Sequence, residues 1–452
     1  MSKVAIIGTG YVGLTTGATL ARLGHHVVCA DVIESKIEML RCGVIPIVEA
    51  GLEALVQEGI AGARLSFVLG AAAAVPEAEV VFLCLPTPER ADGSADLGVV
   101  LEVAAEIADH LQPGSVIVNK STVPVGSAEM VSRTINRPDV SVVSNPEFLR
   151  EGSAVQDALN PHRIVVGGNN PLAVAKVVSL FERLNAPVVA TDSASAETIK
   201  YAANTFLAMK VAYINSIANL CDRVGADVTE VARGMGYDPR IGSEFLQPGP
   251  GWGGSCFPKD VHALMRIADT HGYDFPLLRG IVDANTAQYD AVTEKISALV
   301  GGDLSGVTVG VWGLTFKAGT DDLRSSPALK IIERLLQAGA TVQAYDPTVE
   351  KNLPGIEVFP DVYDAVADAD ALVILTEWPE FAEANFNKVH AVMRAPNIVD
   401  ARNVLDPSHI AGLGFVYDSI GRPNRANGAR QGLTSVQPNL VRQGHADERA
   451  TA

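Results

Sequence analysis

Short runs of β-branched residues alternate along this chain with longer stretches whose apolar positions recur at helical spacing. Val4–Ile7 is an unbroken apolar run that stops at Gly8. A helical stretch follows over Leu14–Leu23, with Gly24 placed to cap its C-terminus. His26–Ala30 predicts a second strand, ending on Asp31. Further apolar runs lie at Val80–Leu85, Val116–Val118, Val140–Val143 and Ile164–Val166, several of them separated by helical patterns. Strands alternating with helices predict a mainly parallel sheet. From Ser195 to Val224 neither Pro nor Gly interrupts the chain, and helical spacing persists, which predicts one long helix joining two domains. Shorter helices are expected around Val228–Gly234 and Val261–His271.

A second α/β unit opens at Val307–Trp312, with Gly310 and Gly313 flanking its turn. A helix over about Pro327–Ala338 is stopped by Gly339, and the strand Thr341–Tyr345 ends on Asp346. This repeats the plan of the first unit without repeating its sequence. Ala371–Leu375 and Ile398–Val399 continue the sheet. The expected fold class is therefore α/β: two Rossmann-like parallel-sheet domains joined by a long central helix and a helical domain. The expected boundaries are 1–194, 195–300 and 301–421. After Gly421 the chain turns polar and loses apolar periodicity, so 422–452 reads as a disordered tail.

The 452 residues exceed what one core holds, and 48% apolar residues can fill several. A formal net charge of −17 disfavours nucleic acid and anionic membrane as partners. A phosphate-bearing ligand then needs a locally positive pocket or a helix N-terminus. The five cysteines form no CxxC pair, which argues against a disulfide framework and against a metal site, and suits the cytoplasm. Met1-Ser2-Lys3 leads straight into a strand, so no signal peptide is expected, and no apolar run reaches the length of a membrane span.

Three constellations carry candidate chemistry. The first is Gly8-Thr9-Gly10-Tyr11-Val12-Gly13, after a strand and opening a helix, with Asp31 at the end of the next strand. Gly8 permits the tight turn, Gly10 lets backbone amides approach a pyrophosphate, and Gly13 lets helix and strand pack closely. Asp31 suits an adenosine ribose and disfavours a 2′-phosphate, so NAD is preferred over NADP. Lys36 belongs either near that cofactor or on a solvated helix face.

The second is Gly249-Pro250-Gly251-Trp252-Gly253-Gly254-Ser255-Cys256, followed by Phe257-Pro258-Lys259-Asp260. Its glycines allow close approach to a ligand. The cation beside Cys256 is expected to lower its thiol pKa and favour a nucleophilic thiolate. Cys29, Cys84 and Cys221 read instead as small buried hydrophobes. The third is a set of polar residues at strand and helix positions. Lys200 and Asn204, four apart on the long helix, share a face and suit oxyanion stabilisation, or else solvation. Glu147 and Glu151 in Asn145–Glu151 either help activate water or are solvated charges. Lys120-Ser121-Thr122 follows a strand at the edge where such sheets bind ligands, though Thr122 also reads as a cap.

Together these residues resemble the nucleotide-sugar 6-dehydrogenase (UDP-glucose/GDP-mannose dehydrogenase) family. The motifs are GTGYVGL, KSTVPVG at 120–126, NPEFLREG at 145–152, the Lys200/Asn204 pair, PGPGWGGSCFPKD at 248–260 and FKAGTDDLRSSP at 316–327. The resemblance spans about residues 1–421 and implies NAD bound by the first domain, dimer contacts on the long helix, and a UDP moiety on the last domain. It implies oxidation of a sugar C6 alcohol to a carboxylate with two NAD and one water. Cys256 is the implied nucleophile, forming a thiohemiacetal and then a thioester. Lys200 would stabilise oxyanions, Asn204 position the substrate oxygen, Asp260 with Thr122 hold or activate a water, and Glu147 assist thioester hydrolysis. Val12, Asp31, Lys36, Thr87, Thr122, Glu151, Lys259 and Arg324 match family NAD contacts, beside Gly8, Gly10, Tyr11 and Gly13 of the glycine motif. Phe245, Leu246, Gly249, Gly253 and Lys317 match nucleotide-sugar contacts, and Glu147, Phe148, Leu149, Arg150, Lys200 and Asn204 are placed with them. Arg240 resembles an arginine that reaches the neighbouring subunit's substrate, and Arg402 another substrate arginine.

Within the family, Gly236–Gly249 reads more like the UDP-glucose branch than the GDP-mannose or UDP-N-acetylhexosamine branches. A two-electron hydroxyacid dehydrogenase also uses a helical Lys/Asn pair, but it has no need of Cys256 or the second α/β unit. A nucleotide-sugar sensor on the same fold would have no need of a thiolate.

Overall fold

The computed structural model describes residues 1–423, so nearly all of the expected tail lies outside the described residues. The first sheet contains β1 (Lys3–Ile7), β2 (His26–Asp31), β3 (Leu65–Leu69), β4 (Val80–Leu83), β5 (Val116–Asn119), β6 (Ser141–Ser144), β7 (Ile164–Gly168) and β8 (Val188–Thr191). Their order is β3-β2-β1-β4-β5-β6-β7-β8. Pairing is parallel except between β6 and β7. In register, β1 Val4 lies between Val27 and Val80. β4 and β5 are buried at every position, which is why they read as continuous apolar runs. Sequence periodicity passed over β3 and β8. Ser66 interrupts β3, and β8 is a short edge strand with Val188 and Val189 exposed.

The second sheet contains β9 (Thr308–Trp312), β10 (Thr341–Tyr345), β11 (Ile356–Val358), β12 (Ala371–Ile374), β13 (Asn397–Asp400) and β14 (Val416–Ser419). It is wholly parallel in the order β11-β10-β9-β12-β13-β14. Both sheets thus reverse winding beside their first strand, and each opens a crevice at the C-terminal ends of its strands there.

Between them runs a 32-residue helix, Ser193–Val224. Asp192 caps it by accepting from the Ser195 N–H at 2.8 Å, and Gly225, at φ +73°, ends it. A second long helix, Pro276–Leu299, packs beside it and was not anticipated. Its buried stripe includes Asn285 and Gln288, and those polar residues obscure its apolar period. The helix expected from Val261 begins at Phe257, immediately after Cys256, with Pro258 in its first turn. Likewise the first helix begins at Tyr11, inside the glycine motif. One core cluster joins Ile214, Ala218 and Cys221 of the long helix to Val309, Val311 and Val399 of the second sheet.

Candidate active site

The glycine motif is shaped as its spacing requires. Gly8 has φ +99°, and a Cβ there would lie 2.3 Å from the Cys84 carbonyl oxygen. A Cβ on Gly13 would lie 1.9 Å from the Gly8 carbonyl oxygen. Gly10 faces open space within 4 Å, and it N-caps the helix Tyr11–Arg22 with no side chain bonded to the first-turn amides. Those amides suit a pyrophosphate. At the end of β2, Asp31 accepts from the Thr9 N–H at 3.1 Å and from Lys36 Nζ at 3.0 Å. Burial works to raise its pKa, but the Thr9 and Lys36 hydrogen bonds prevail and hold it at about 2. Lys36 is therefore at the cradle through Asp31, not on a solvated face. This cradle fits a dinucleotide whose ribose bonds an anionic carboxylate. Thr87 Oγ1 donates to the Thr122 carbonyl at 2.9 Å, joining the loops that follow β4 and β5. Val12 packs on the first sheet's core.

The cysteine loop is threaded between two walls. Trp252 N–H donates to Asn285 Oδ1 at 2.8 Å, and Gln288 Nε2 donates to the Gly249 carbonyl at 2.8 Å. On the other side, a Cβ on Gly253 would lie 2.1 Å from the Ser325 carbonyl oxygen, and one on Gly254 2.8 Å from the Phe316 ring. Gly249 sits 3.3 Å, by the same measure, from an Arg402 guanidinium nitrogen. The glycines thus admit neighbouring protein groups.

Cys256 ends this loop as the N-cap of the helix Phe257–Thr270. Burial pushes its thiol above the ordinary range; Lys200 opposes this, while Glu147 and Asp260 add to it. The expectation of a thiol lowered by the adjacent cation is corrected here: Lys259 Nζ is 2.6 Å from Asp260 Oδ1, and Lys200 is the main cation opposing burial at the sulfur. Tyr11 of the glycine motif brings its hydroxyl to 3.8 Å from Cys256 Sγ.

Lys200 and Asn204 do share a face, and both are buried. Lys200 Nζ donates to Glu147 Oε1 at 2.9 Å, with side chains only 3% and 5% exposed. Asn204 Nδ2 donates to Asp260 Oδ2 at 2.6 Å, and Asp260 is fully buried. Solvation is therefore not their role. Burial alone would raise the Glu147 carboxyl, but Lys200, the Leu149 N–H at 2.6 Å and Lys120 bring it below the usual carboxylate range. Burial pulls the Lys200 amine down, yet Glu147, Cys256 and Asp260 leave it raised. Glu151 accepts from Ser255 Oγ at 2.7 Å and faces Arg324 at 3.5 Å.

Other expected residues surround this cluster. The Phe148 ring lies 5.5 Å from Lys200 Nζ and 3.6 Å from the Arg163 guanidinium. Arg150 is turned to Asp157 at 2.6 Å. Lys317 is half-buried, and that desolvation lowers its pKa, with Glu151, Glu377 and Glu49 opposing. Arg402 donates to the carbonyls of Leu375 and Phe316, each at 2.9 Å. Phe245, at φ +62°, packs on Phe257 at 6.3 Å, and Leu246 is buried in the core beneath the second sheet. Arg240 stands apart: it is 87% exposed and pairs only with Asp238 at 2.6 Å among the described contacts.

Sequence reasoning missed several supports. Glu49 fixes the 145–152 loop by accepting from the Gly152 and Ala154 N–H groups at 2.7 and 2.8 Å. Glu197, one turn before Lys200, accepts from Gly126 N–H, Ala128 N–H and Ser144 Oγ, tying the Thr122 loop to the long helix. Its position three before Lys200 on the same face was the available signal. Lys120 is buried, which lowers its amine to about 8, and it donates to Asn145 Oδ1 at 3.0 Å. Among the described residues no cluster of three or more His, Cys, Asp or Glu is placed to hold a metal ion, and no helix is long and apolar enough to cross a membrane.

A dinucleotide cradle at the switch point of one Rossmann sheet, meeting a half-buried thiol beside a second such sheet, defines an NAD-dependent oxidoreductase. Profiles of the UDP-glucose/GDP-mannose dehydrogenase family match residues 2–185 (NAD binding domain), 194–287 (central domain) and 310–407 (UDP binding domain). The chain belongs to that family. It is 46% identical to UDP-glucose 6-dehydrogenase TuaD of Bacillus subtilis, covering 94% of each chain. It is 47% identical to UDP-glucose 6-dehydrogenase of Rhizobium meliloti, covering 93% of this chain and all of that one. Among solved structures, a UDP-glucose dehydrogenase from Pyrobaculum islandicum superposes with a TM-score of 0.86 at 33% identity, covering 93% and 98%. A UDP-D-ManNAc dehydrogenase from Pyrococcus horikoshii gives 0.84 at 27% identity, covering 93% and 100%.

Proposed function

We propose that this enzyme oxidises the C6 alcohol of UDP-glucose to the carboxylate of UDP-glucuronate through a thioester on Cys256. The observation that carries the reading is the meeting of Tyr11, from the glycine motif, with Cys256, and of Lys200, Glu147, Asn204 and Asp260 around that thiol. NAD, held by the Gly8–Gly13 turn and Asp31, would supply the hydride acceptor for both oxidations. Between them Cys256 adds to the aldehyde carbon, so the aldehyde is held rather than released. The second hydride leaves a thioester, and water then yields the carboxylate and frees the thiol.

The chain's own groups suit each step. The positively charged Lys200 stabilises the alkoxide, hemithioacetal oxygen and tetrahedral oxyanion in turn. Asn204, held by Asp260, orients the reacting oxygen. Asp260 and Thr122 hold the hydrolytic water, and Glu147, kept anionic, assists its attack. Thr87, Lys259, Glu151 and Arg324 line the cofactor's approach. Phe148, Leu149, Arg150, Phe245, Leu246, Gly249, Gly253, Lys317 and Arg402 line the sugar-nucleotide side. We divide the chain into an NAD domain at 1–194, a helical domain at 195–300 and a UDP-sugar domain at 301–421.

UDP-glucose is favoured over other nucleotide sugars because the relatives that carry its name reach 46–47% identity, against 27% for the UDP-D-ManNAc enzyme. We also read a homodimer. Phe206, Tyr213 and Leu220 recur every seven residues on the long helix and are each more than half exposed. Exposed Arg240 is the residue the family resemblance assigns to the neighbouring subunit's substrate. Five free cysteines fit a reducing cytoplasm.

The test is NADH formed per UDP-glucose with NAD in excess, beside Cys256→Ser. Two NADH per sugar, with turnover collapsing in the variant, is expected. One NADH, indifferent to the substitution, would sink the thioester route. No NADH from UDP-glucose with turnover of GDP-mannose or a UDP-N-acetylhexosamine would move the substrate.

A further inference from the structure

The groups around Cys256 leave its activation incompletely explained. Burial pushes the thiol up, and the carboxylates of Glu147 and Asp260 push the same way. Lys200 opposes them, but its hydrogen bond is committed to Glu147. Tyr11 and Arg324 also act on the sulfur, the latter only through its charge. Beyond the Tyr11 hydroxyl at 3.8 Å, the sulfur needs a nearer donor that can be turned toward it.

Ser255 supplies one. Its Oγ lies 2.7 Å from Glu151 Oε1 and 3.6 Å from Cys256 Sγ. A serine hydroxyl carries one proton, so it donates to the carboxylate or to the sulfur, never to both. Which it serves depends on what else Glu151 has. Arg324 Nη2 is 3.5 Å from the same Oε1, too long for a strong bond, while it lies 2.8 Å from Asp322 Oδ2. The Arg324 side chain is 68% exposed, and since its Nε also donates to Asp322 Oδ1 at 2.9 Å, a shift to Glu151 exchanges one carboxylate for another. Glu151 itself is pushed up by burial and by Asp322, so it gains from a full ion pair. The three partners come from three parts of the fold: Glu151 follows β6, Ser255 belongs to the cysteine loop, and Arg324 lies in the loop between β9 and the helix Pro327–Gln337.

We propose that Ser255 is a further catalytic residue, whose one hydroxyl proton is held by Glu151 in the open enzyme and passes to the Cys256 sulfur as a hydrogen bond when Arg324 closes on Glu151. No bond to hydrogen is broken; the hydroxyl rotates. Filling the cofactor's approach, which Glu151 and Arg324 line, thereby readies the nucleophile. The proposal rests on Cys256 being the nucleophile, and its test uses no nucleotide sugar, so no turnover is read.

The measurement is the pH dependence of iodoacetamide alkylation at Cys256 in the full chain with NAD bound and no sugar present, read by peptide mass spectrometry so that exposed Cys42 does not contribute. Ser255→Ala is expected to raise the alkylation midpoint by about one pH unit, slowing reaction near pH 7 about tenfold. Ser255→Gly, the second variant without a hydroxyl, should match it, and Ser255→Thr should restore the wild-type profile. Arg324→Met should slow alkylation more in the wild-type background than in Ser255→Ala, where only its direct charge on the sulfur is left to lose. Equal midpoints for Ser255→Ala, Ser255→Gly and wild type would overturn the proposal. So would equal slowing by Arg324→Met in both backgrounds, which is the signature of direct charge alone. Failure of the thioester reading itself shows separately, as turnover that survives Cys256→Ser.

Discussion

Lys200 and Glu147 form the pair on which the site depends, and both are almost wholly removed from water. Removing one charge leaves the other uncompensated, which costs about 3–5 kcal/mol. Lys200→Met should therefore lose stability as well as turnover. The pH dependence has a definite sign. The folded Glu147 pKa lies below its unfolded value, so the wild type gains stability above about pH 4.3 and loses it as pH falls through the lowered value. In Lys200→Met that carboxyl has lost its main partner and titrates higher. The stability gap between the two proteins should be widest near pH 7 and narrow toward pH 5, as urea unfolding at both pH values would show. A constant gap would mean that Glu147 does not carry the effect. Neither the burial nor the pairing was legible in the sequence. The four-residue spacing put Lys200 and Asn204 on one face, but it could not say that Glu147, 53 positions away, closes over the first and Asp260 over the second.

At the scale of elements, the glycine turn was legible because its function is local: Gly8, Gly10 and Gly13 shape one turn, and their spacing states it. The glycines of the cysteine loop were legible as glycines, but their neighbours were not. Gly253 meets the Ser325 carbonyl, and Gly254 the Phe316 ring, both from a loop some 60 to 70 positions onward. Gly253 has no positive φ, so Gly253→Ala tests contact alone. The loop must shift to admit the methyl group, at about 1–3 kcal/mol, and a displacement of Cys256 by an ångström costs about a hundredfold in kcat. NAD binding should survive, because the glycine motif is untouched. Stopped-flow turnover beside NAD titration would check this, and loss of both together would mean that the loop supports the cradle as well. The helix Pro276–Leu299 shows the opposite limit. Asn285 and Gln288 look polar in sequence because they serve the backbone of the cysteine loop rather than water. The echo between the two sheets is also only partly what it seemed. Asp346 ends its strand as Asp31 does, yet it is buried and accepts from the Leu314 and Thr315 N–H groups at 2.8 and 3.1 Å, which closes it to a ribose.

At the scale of the whole molecule, a reaction needing a cofactor on one sheet and a nucleotide on the other requires the two sheets to keep their places on the long helix. Gly421 presses against that helix, where a Cβ would fall 2.7 Å from Ala218, and its carbonyl accepts from the Val228 N–H at 2.8 Å. Lys295 adds a charged tie. Its Nζ lies 2.9 Å from Asp222 on the long helix and 3.3 Å from Asp418 on β14, with all three side chains mostly shielded. Lys295→Met would leave two carboxylates facing each other across that joint. Asp222 is already raised by burial, with Lys295 opposing and Asp418 adding. A carboxyl whose folded pKa exceeds its unfolded value weakens the fold while charged, and that penalty fades as pH falls and the group takes up its proton. Losing Lys295 raises Asp222 further, so the variant should be less stable than wild type by about 1–3 kcal/mol at pH 8, and by less at pH 5. Turnover should fall with little change in NAD affinity, because the second sheet loosens on the helix while the first keeps its cradle. Urea midpoints at the two pH values, with NAD titration alongside, decide it. A deficit that stays equal at pH 5 and pH 8 would mean that Lys295 serves by packing its stem, and that the apolar contacts around Ile214 and Ala218 alone hold the second sheet in place.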